Sequence, residues 1–262
     1  MASMSGIPKG TPKPFTGLIP NDACYAFAQI VVKDIEFDAL GRYGFVSEGV
    51  NFVDSVLLDE IRHHVRCSIE IVNGYYFNEG FNSKICSFAQ LLYQMRSLDL
   101  FNKLGKNMLS ALYGKSLQSC QQFKIKMVPR SKVNEYLAEF GNYVYEITRA
   151  GGDMLTVKLL RSIDVNYNIP QFGSYVLSES RARMNRVITF CNVHEIPIYS
   201  IKTDSFTLPS KDVEKLTTLI PIGVGLGEFR REYEAKYVKY VSAGSYKAEL
   251  TDGTTRVRGQ VE

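Results

Sequence analysis

Lys106-Asn-Met-Leu-Ser110-Ala-Leu-Tyr113-Gly114-Lys115 carries more information about fold and chemistry than any other ten residues of this 262-residue chain. Lysine and tyrosine seven positions apart on a helix share one face, two turns apart. A lysine so placed reaches phosphate oxygens, a tyrosine packs against a base, and the following glycine lets the chain approach closely. The run sits inside residues 101–132, which hold Lys103, Lys106, Lys115, Lys124, Lys126, Arg130 and Lys132 and no acid, in a chain whose net charge is only +4. Such a block suits a phosphate-contacting surface, and it equally suits a solvated helix face. Residues 83–117 form the longest helical stretch. Phe101, Leu104, Met108 and Leu112 recur at helical spacing, and burial of that stripe would turn Lys103 and Lys106 outward.

A second informative stretch is Ile198-Tyr-Ser200-Ile-Lys202-Thr203-Asp204-Ser205-Phe206. It reads as a strand, a tight turn and a returning strand. A carboxylate at a hairpin tip can present an oxygen ligand to Mg²⁺, although an aspartate in a turn is also an ordinary Asx-turn residue. Elsewhere, residues 1–16 read as a flexible arm broken by Pro8, Gly10, Pro12 and Pro14. Residues 22–34 read as a strand running into a helix. Residues 55–65 read as a helix, and 67–72 as a strand ending at an Asn73-Gly74 turn. Strands are predicted at 140–148 and 154–160, helices at 178–192 and 212–219, and hairpins from 237 onward. Helices and strands interleave without a strict βαβ rhythm, which predicts an α+β fold.

Composition narrows the classes further. A hydrophobic share of 45% with 22% charged residues excludes wholesale disorder. No apolar run is long enough to span a membrane, and the N-terminus lacks a signal-peptide core. Five widely spaced cysteines without a Cys-x-x-Cys pair predict free thiols in a reducing, intracellular setting; viral particle, cytoplasm and organelle are not distinguished. His63, His64 and Cys67 lack the further ligands a zinc site needs. Cys191 and His194 lack an orienting acid. Gly223-Val-Gly225-Leu-Gly227 precedes no Lys-Ser/Thr, so it is not a P-loop. Tyr233, Tyr237, Tyr240 and Tyr246, interleaved with Arg230, Arg231, Lys236, Lys239 and Lys247, suit either base stacking with phosphate contact or strand core.

Taken together and in this order, the two motifs resemble the B and C motifs of family B DNA polymerases, in the protein-primed branch of viruses, linear plasmids and organelles. The B motif, Lys-x-x-x-Asn-Ser-x-Tyr-Gly, is matched at Lys106, Tyr113 and Gly114, with Ser110 and Ala111 in place of Asn-Ser. The C motif, Tyr-x-Asp-Thr-Asp-Ser, is matched at Thr203, Asp204 and Ser205. Lys202 stands where the first aspartate belongs, and Ser200 where the tyrosine does. Residues 63–74 and Phe77 resemble the segment entering the fingers, and Ala182-Arg183 the family's Ala-Arg before motif C. Leu226-Gly227, Lys239-Tyr240-Val241 and Tyr246 resemble the stretch leading to the primer-gripping Lys-x-Tyr, with Gly244 at the lysine position. Asp22-Ala-Cys-Tyr25-Ala-Phe27-Ala is a degraded likeness of motif A. The resemblance covers residues 18–250.

The resemblance implies a palm of antiparallel sheet with helices, plus short helical fingers. The boundaries expected are 1–16 arm, 17–80 first part of the palm, 81–132 fingers helices, 133–250 second part of the palm and 251–262 tail. The family's exonuclease domain, which precedes motif A, is expected to be absent. Asp22 and Asp204 would be the catalytic, metal-ligating pair, and Mg²⁺ the cofactor if the chain is active. Lys106, Tyr113 and Phe27 would bind the nucleotide, Phe27 replacing the tyrosine that excludes a ribose 2′-OH. Lys103, Lys115, Arg183, Lys239 and Tyr246 would contact primer–template DNA. Two-metal transfer needs carboxylates bridging ions about 3.5–4 Å apart. An ammonium about 4 Å from a carboxylate is worth about 4 kcal/mol at an effective dielectric near 20, before desolvation. Lys202 is therefore expected to pair with Asp204 or Asp22 and to take over a metal's charge. The expected function is a catalytically impaired, polymerase-derived subunit of a larger viral or organellar assembly, binding nucleic acid or serving a structural role with other protein subunits. The alternative is an active nucleotidyltransferase forming one piece of a split polymerase. No membrane partner is expected.

Overall fold

The computed structural model describes residues 5–41, 46–96, 98–117, 121–162, 169–242 and 244–259. The chain divides into two units, Met1–Leu109 with Ser174–Glu262, and Ser110–Gly173. The first unit begins with β1 (Ile7–Pro8) and β2 (Lys13–Thr16). This corrects the expectation of a flexible arm. β2 is the edge of its sheet, where Pro14 costs no central ladder bond, and Phe15 is buried in the core. β3 (Tyr25–Asp38), β4 (Gly49–Asp54), the helix α1 (Ser55–His64) and β5 (Val65–Phe77) follow. The four strands pair antiparallel in the order β2-β5-β3-β4.

Period-two alternation places Ala26, Ala28, Ile30 and Val32 of β3 on one face, where they pack with Leu57, Leu58 and Ile61 of α1. The expected strand-to-helix change within residues 22–34 is instead one continuous strand. The Asn73-Gly74 turn is also absent, because β5 runs through it. A Cβ at Gly74 would collide with the Phe27 carbonyl and the Phe15 ring. The glycine therefore serves close backbone approach inside a strand.

Asp54 ties these elements together. It is buried and caps α1, its Oδ1 accepting from the Leu57 amide at 2.9 Å. Its Oδ2 accepts from the Tyr25 hydroxyl at 2.7 Å, Ser174 Oγ at 2.6 Å and Ser178 Oγ at 2.7 Å. Burial first, and the Asp54 charge next, push the Tyr25 hydroxyl above its ordinary value of 10.0.

After β6 (Phe81–Asn82), which pairs with β1, come α2 (Lys84–Met95) and α3 (Asn102–Ser116). Phe101, Leu104 and Met108, expected to be buried, are exposed. The inward position is Gly105, whose Cβ would stand 2.8 Å from the Leu92 carbonyl of α2. Helical spacing sets Gly105 and the half-buried Leu109 roughly 55–95° round from the apolar stripe.

In the second unit, β7 (Gln121–Pro129), α4 (Val133–Phe140), β8 (Val144–Gly151) and β9 (Met154–Ser162) form an antiparallel sheet of order β7-β9-β8. Val128, Val157 and Leu159 pack there with Tyr136, Phe140 and Val144. The unit boundaries differ from the expected limits of 81–132, which cut this sheet by including β7 and leaving out β8 and β9.

α5 (Pro170–Val193) starts on a proline, which suits a first helical position. From Ser174 onward it belongs to the first unit. It is followed by β10 (Ser200–Lys202), β11 (Ser205–Thr207), α6 (Val213–Leu216), β12 (Ala235–Ser242), β13 (Ser245–Leu250) and β14 (Thr255–Arg258). The last three make one antiparallel sheet, so residues 251–262 are not wholly tail. Val187, Ile188 and Cys191 of α5 form a second core with Ile196, Ile198, Leu216 and Ile220. His64 bridges α1 and α5, 3.2 Å from Glu60 and 3.0 Å from Thr189 Oγ1, while the Asn185 amide donates to Glu60 at 2.9 Å. Among the described residues no helix is long and apolar enough to cross a membrane.

Replacing Asp54 by Ala removes a cap and orphans three hydroxyls. The expected loss is about 3 kcal/mol or more in urea denaturation, against about 1 kcal/mol for Tyr25→Phe. The raised Tyr25 value also sets a pH dependence. Above about pH 10 the unfolded chain releases a proton that the folded one keeps, so stability falls as pH rises. Tyr25→Phe should flatten that alkaline limb.

Candidate functional site

Residues 198–206 form the expected hairpin. Lys202 pairs with Ser205, leaving Thr203 and Asp204 as the two turn residues. Thr203 has φ +51, a left-handed conformation that is rare for a β-branched residue and costs roughly 1–3 kcal/mol. The second core holds the hairpin through Ile201 and Phe206, and Phe206 meets the Phe229 ring at 5.4 Å. The strained tip leaves the Asp204 side chain exposed.

Opposite the hairpin lies the β12–β14 sheet, where Tyr240 and Tyr246 are cross-strand partners. Tyr246 is buried, with ring centroids 6.1 Å from Tyr240 and 6.5 Å from Tyr233. The Arg256 guanidinium lies over the Tyr233 ring at 4.7 Å. Burial, then the neighbouring Tyr246, push the Tyr233 hydroxyl above its ordinary value.

Gly244, with φ +86, begins β13's approach, and an added Cβ there would stand 2.9 Å from the Lys202 Nζ. The ammonium of Lys202 thus fills the space in which a side chain at 244 would start. Lys202, Asp204, Gly244, Arg230, Arg258 and the three tyrosines line a pocket of about 370 Å³.

A loop closes one side of this pocket, and α5 holds it. Arg183 donates to the Gly227 carbonyl at 2.6 Å, and the Gly225 amide donates to Glu228 Oε2 at 2.6 Å. Glycine at 223 lets the Glu228 carboxylate fold over the loop, where a Cβ would collide with it. Arg183 was expected to contact nucleic acid; here it uses at least one donor to position the loop.

The remaining expected site residues are spread over the fold. Asp22 is exposed just before β3 and accepts from the Asn78 amide at 2.6 Å, outside the pocket that Asp204 lines. Phe27 stands on β3, edge-to-face on Tyr25 at 5.4 Å. Lys103, Lys106 and Lys115 are exposed on α3, Tyr113 is half-buried, and Lys239 is exposed on β12 opposite Lys247. Lys202 makes no ion pair among the described residues, so the expected bridge to Asp204 or Asp22 is corrected. Its reach is spent along the Gly244 backbone instead.

The residues present do not fit a two-metal centre in this pocket. Of the two expected ligands only Asp204 lines it. Glu228 is committed to the loop amide, and Glu232 is paired with Arg256 at 3.4 Å. The cations of Lys202, Arg230 and Arg258 oppose a divalent ion. Reading the sequence missed Arg230 and Arg258 as a set, because nothing local marks an arginine in β14 as facing a loop residue far upstream.

No protein-family model matches the chain, and no curated protein matches its sequence. Among solved structures, Phi29 DNA polymerase complexed with primer-template DNA and incoming nucleotide matches with a TM-score of 0.69 and 17% identity, over 100% of this chain and 49% of that one. The same polymerase with single-stranded DNA gives 0.68 and 15%, over 98% and 47%. An orthorhombic crystal form gives 0.64 and 19%, over 99% and 46%. The chain therefore spans about half the length of the polymerase it resembles, and the likeness establishes a polymerase-like α+β fold.

Gly244→Ala should destabilise the chain by about 1–2 kcal/mol, because φ +86 strains any L side chain. A double-mutant cycle with Lys202→Ala checks the cause. The lysine end can swing away, so removing it should recover only a minor part of the loss.

Proposed function

We propose that this chain is a DNA-polymerase-derived palm–fingers protein that binds nucleic acid without performing nucleotidyl transfer by itself, as a subunit of a larger viral or organellar assembly. The observation that carries this reading is Lys202, an ammonium at a motif C position, standing in the pocket that Asp204 lines. A carboxylate pair gathers divalent ions because each ion offsets the repulsion between the acids. A lysine in the same pocket offsets that charge permanently and repels the ions. The exposed lysines of α3 support the binding half of the reading, since Lys103 and Lys106 carry no ion pair among the described residues and face solvent.

Asp22 and Asp204 both remain solvent-accessible carboxylates, which favours the second reading, an active piece of a split polymerase whose partner chain completes the site. Primer extension separates the two. With primer–template, dNTPs and Mg²⁺ or Mn²⁺, no extension by the chain alone is expected. Extension at a rate comparable with an active polymerase, on the order of 1 s⁻¹ or faster, would establish the second reading.

Binding has its own test. Each phosphate neutralised contributes a log–log salt slope of about −0.9 on duplex and about −0.7 on single strands. Lys106→Ala should lower the slope by roughly one such unit, uniformly across sequences, in filter binding at several salt concentrations. An unchanged slope would place the polynucleotide elsewhere.

A further inference from the structure

We propose that the pocket between the β10–β11 hairpin and the β12–β14 sheet is a phosphate site, which holds the phosphate monoester of a nucleotide directly on side-chain cations with no divalent ion. This goes beyond the proposed function and rests on it only for the nucleotide as the carrier of the phosphate.

The charge arrangement carries the inference. Seven ionic side chains line the pocket: Lys202, Arg230, Arg231 and Arg258 against Asp204, Glu228 and Glu232. Two of them are already neutralised: Arg231 pairs with Glu234 at 2.6 Å and Glu232 with Arg256 at 3.4 Å. Glu228 accepts from the Gly225 amide and keeps its charge. Lys202, Arg230, Arg258, Asp204 and Glu228 make no ion pair among the described residues. Three unpaired cations thus face two unpaired carboxylates, a net positive balance that draws an anion and opposes a metal.

The geometry agrees. Gly244 leaves room for the Lys202 ammonium at the pocket wall, where any side chain would displace it. Ammonium and guanidinium groups form short, charge-assisted bonds to phosphate oxygens, and guanidinium forks bind them two at a time. The Tyr233, Tyr240 and Tyr246 cluster supplies an aromatic wall against which a base packs. At about 370 Å³ the pocket is at the small end of ligand sites and suits one nucleotide.

The test is calorimetric titration of the full chain in EDTA with dAMP, deoxyadenosine and inorganic phosphate. We expect dAMP to bind and deoxyadenosine to bind at least about tenfold more weakly. Lys202→Met and Arg258→Gln should each weaken dAMP by about tenfold or more with unchanged circular dichroism, and added Mg²⁺ should not tighten it. Inorganic phosphate binding as tightly as dAMP would support the phosphate site and identify the free anion as its ligand. No dAMP binding in EDTA, binding that requires Mg²⁺, or binding undiminished in both variants would overturn the proposal. Polynucleotide binding that still depends on Lys106 would then leave the proposed function standing, whereas primer extension with dAMP binding intact would overturn that function and leave the pocket.

Discussion

The buried carboxylate of Asp54 is the constraint on which the first unit depends. One oxygen caps α1, and the other gathers hydroxyls from β3 and from two positions one turn apart on α5. A buried charge is tolerable only when its lone pairs are filled, and four donors fill these. The geometry that fills them fixes where the long helix lies against the sheet. Further along the same helix, Asn185 and Thr189 meet Glu60 and His64 of α1, so the registration is made twice.

From that registration the pocket follows. α5 carries Arg183, which holds the loop through Gly227, and it carries the apolar side chains on which the β10–β11 hairpin rests. The hairpin then aims its strained turn at the β12–β14 sheet, and Lys202 reaches Gly244. Lys202, where the resemblance to motif C leads one to expect an acid, and Gly244, where the resemblance to Lys-x-Tyr leads one to expect a lysine, meet at one point in space. A positive charge stands at the pocket wall beside the Asp204 carboxylate, an arrangement that suits anion binding and opposes two-metal chemistry.

How much of this the sequence disclosed depended on how local the cause was. The hairpin at 198–206 and the helices around Lys106 were legible because turn chemistry and periodicity are written within a few residues. The α+β class followed from helices and strands that interleave without a βαβ rhythm, and the polymerase-like fold from motif order. Gly74 was misread as a turn, since only the approach of Phe15 and Phe27 from other strands makes glycine necessary there. The exposed side of α3 was misjudged because Gly105, and not the apolar stripe, sets its contact with α2. Asp54 carried one local signal, an acid directly before the helical run Ser55-Val-Leu. Its hydroxyl partners on α5 lie too far along the chain for spacing to disclose them. For Lys202 the expected partner was a carboxylate, and the structure gives it a glycine.

Manganese binding followed by electron paramagnetic resonance, on the full chain with primer–template and an incoming nucleotide, tests the proposed absence of a two-metal centre most directly. The wild-type chain should capture no Mn²⁺ beyond that bound by the nucleic acid and nucleotide alone, and Lys202→Asp should gain at least one ion. Capture of two Mn²⁺ ions by the wild type, abolished by Asp204→Asn, would contradict it.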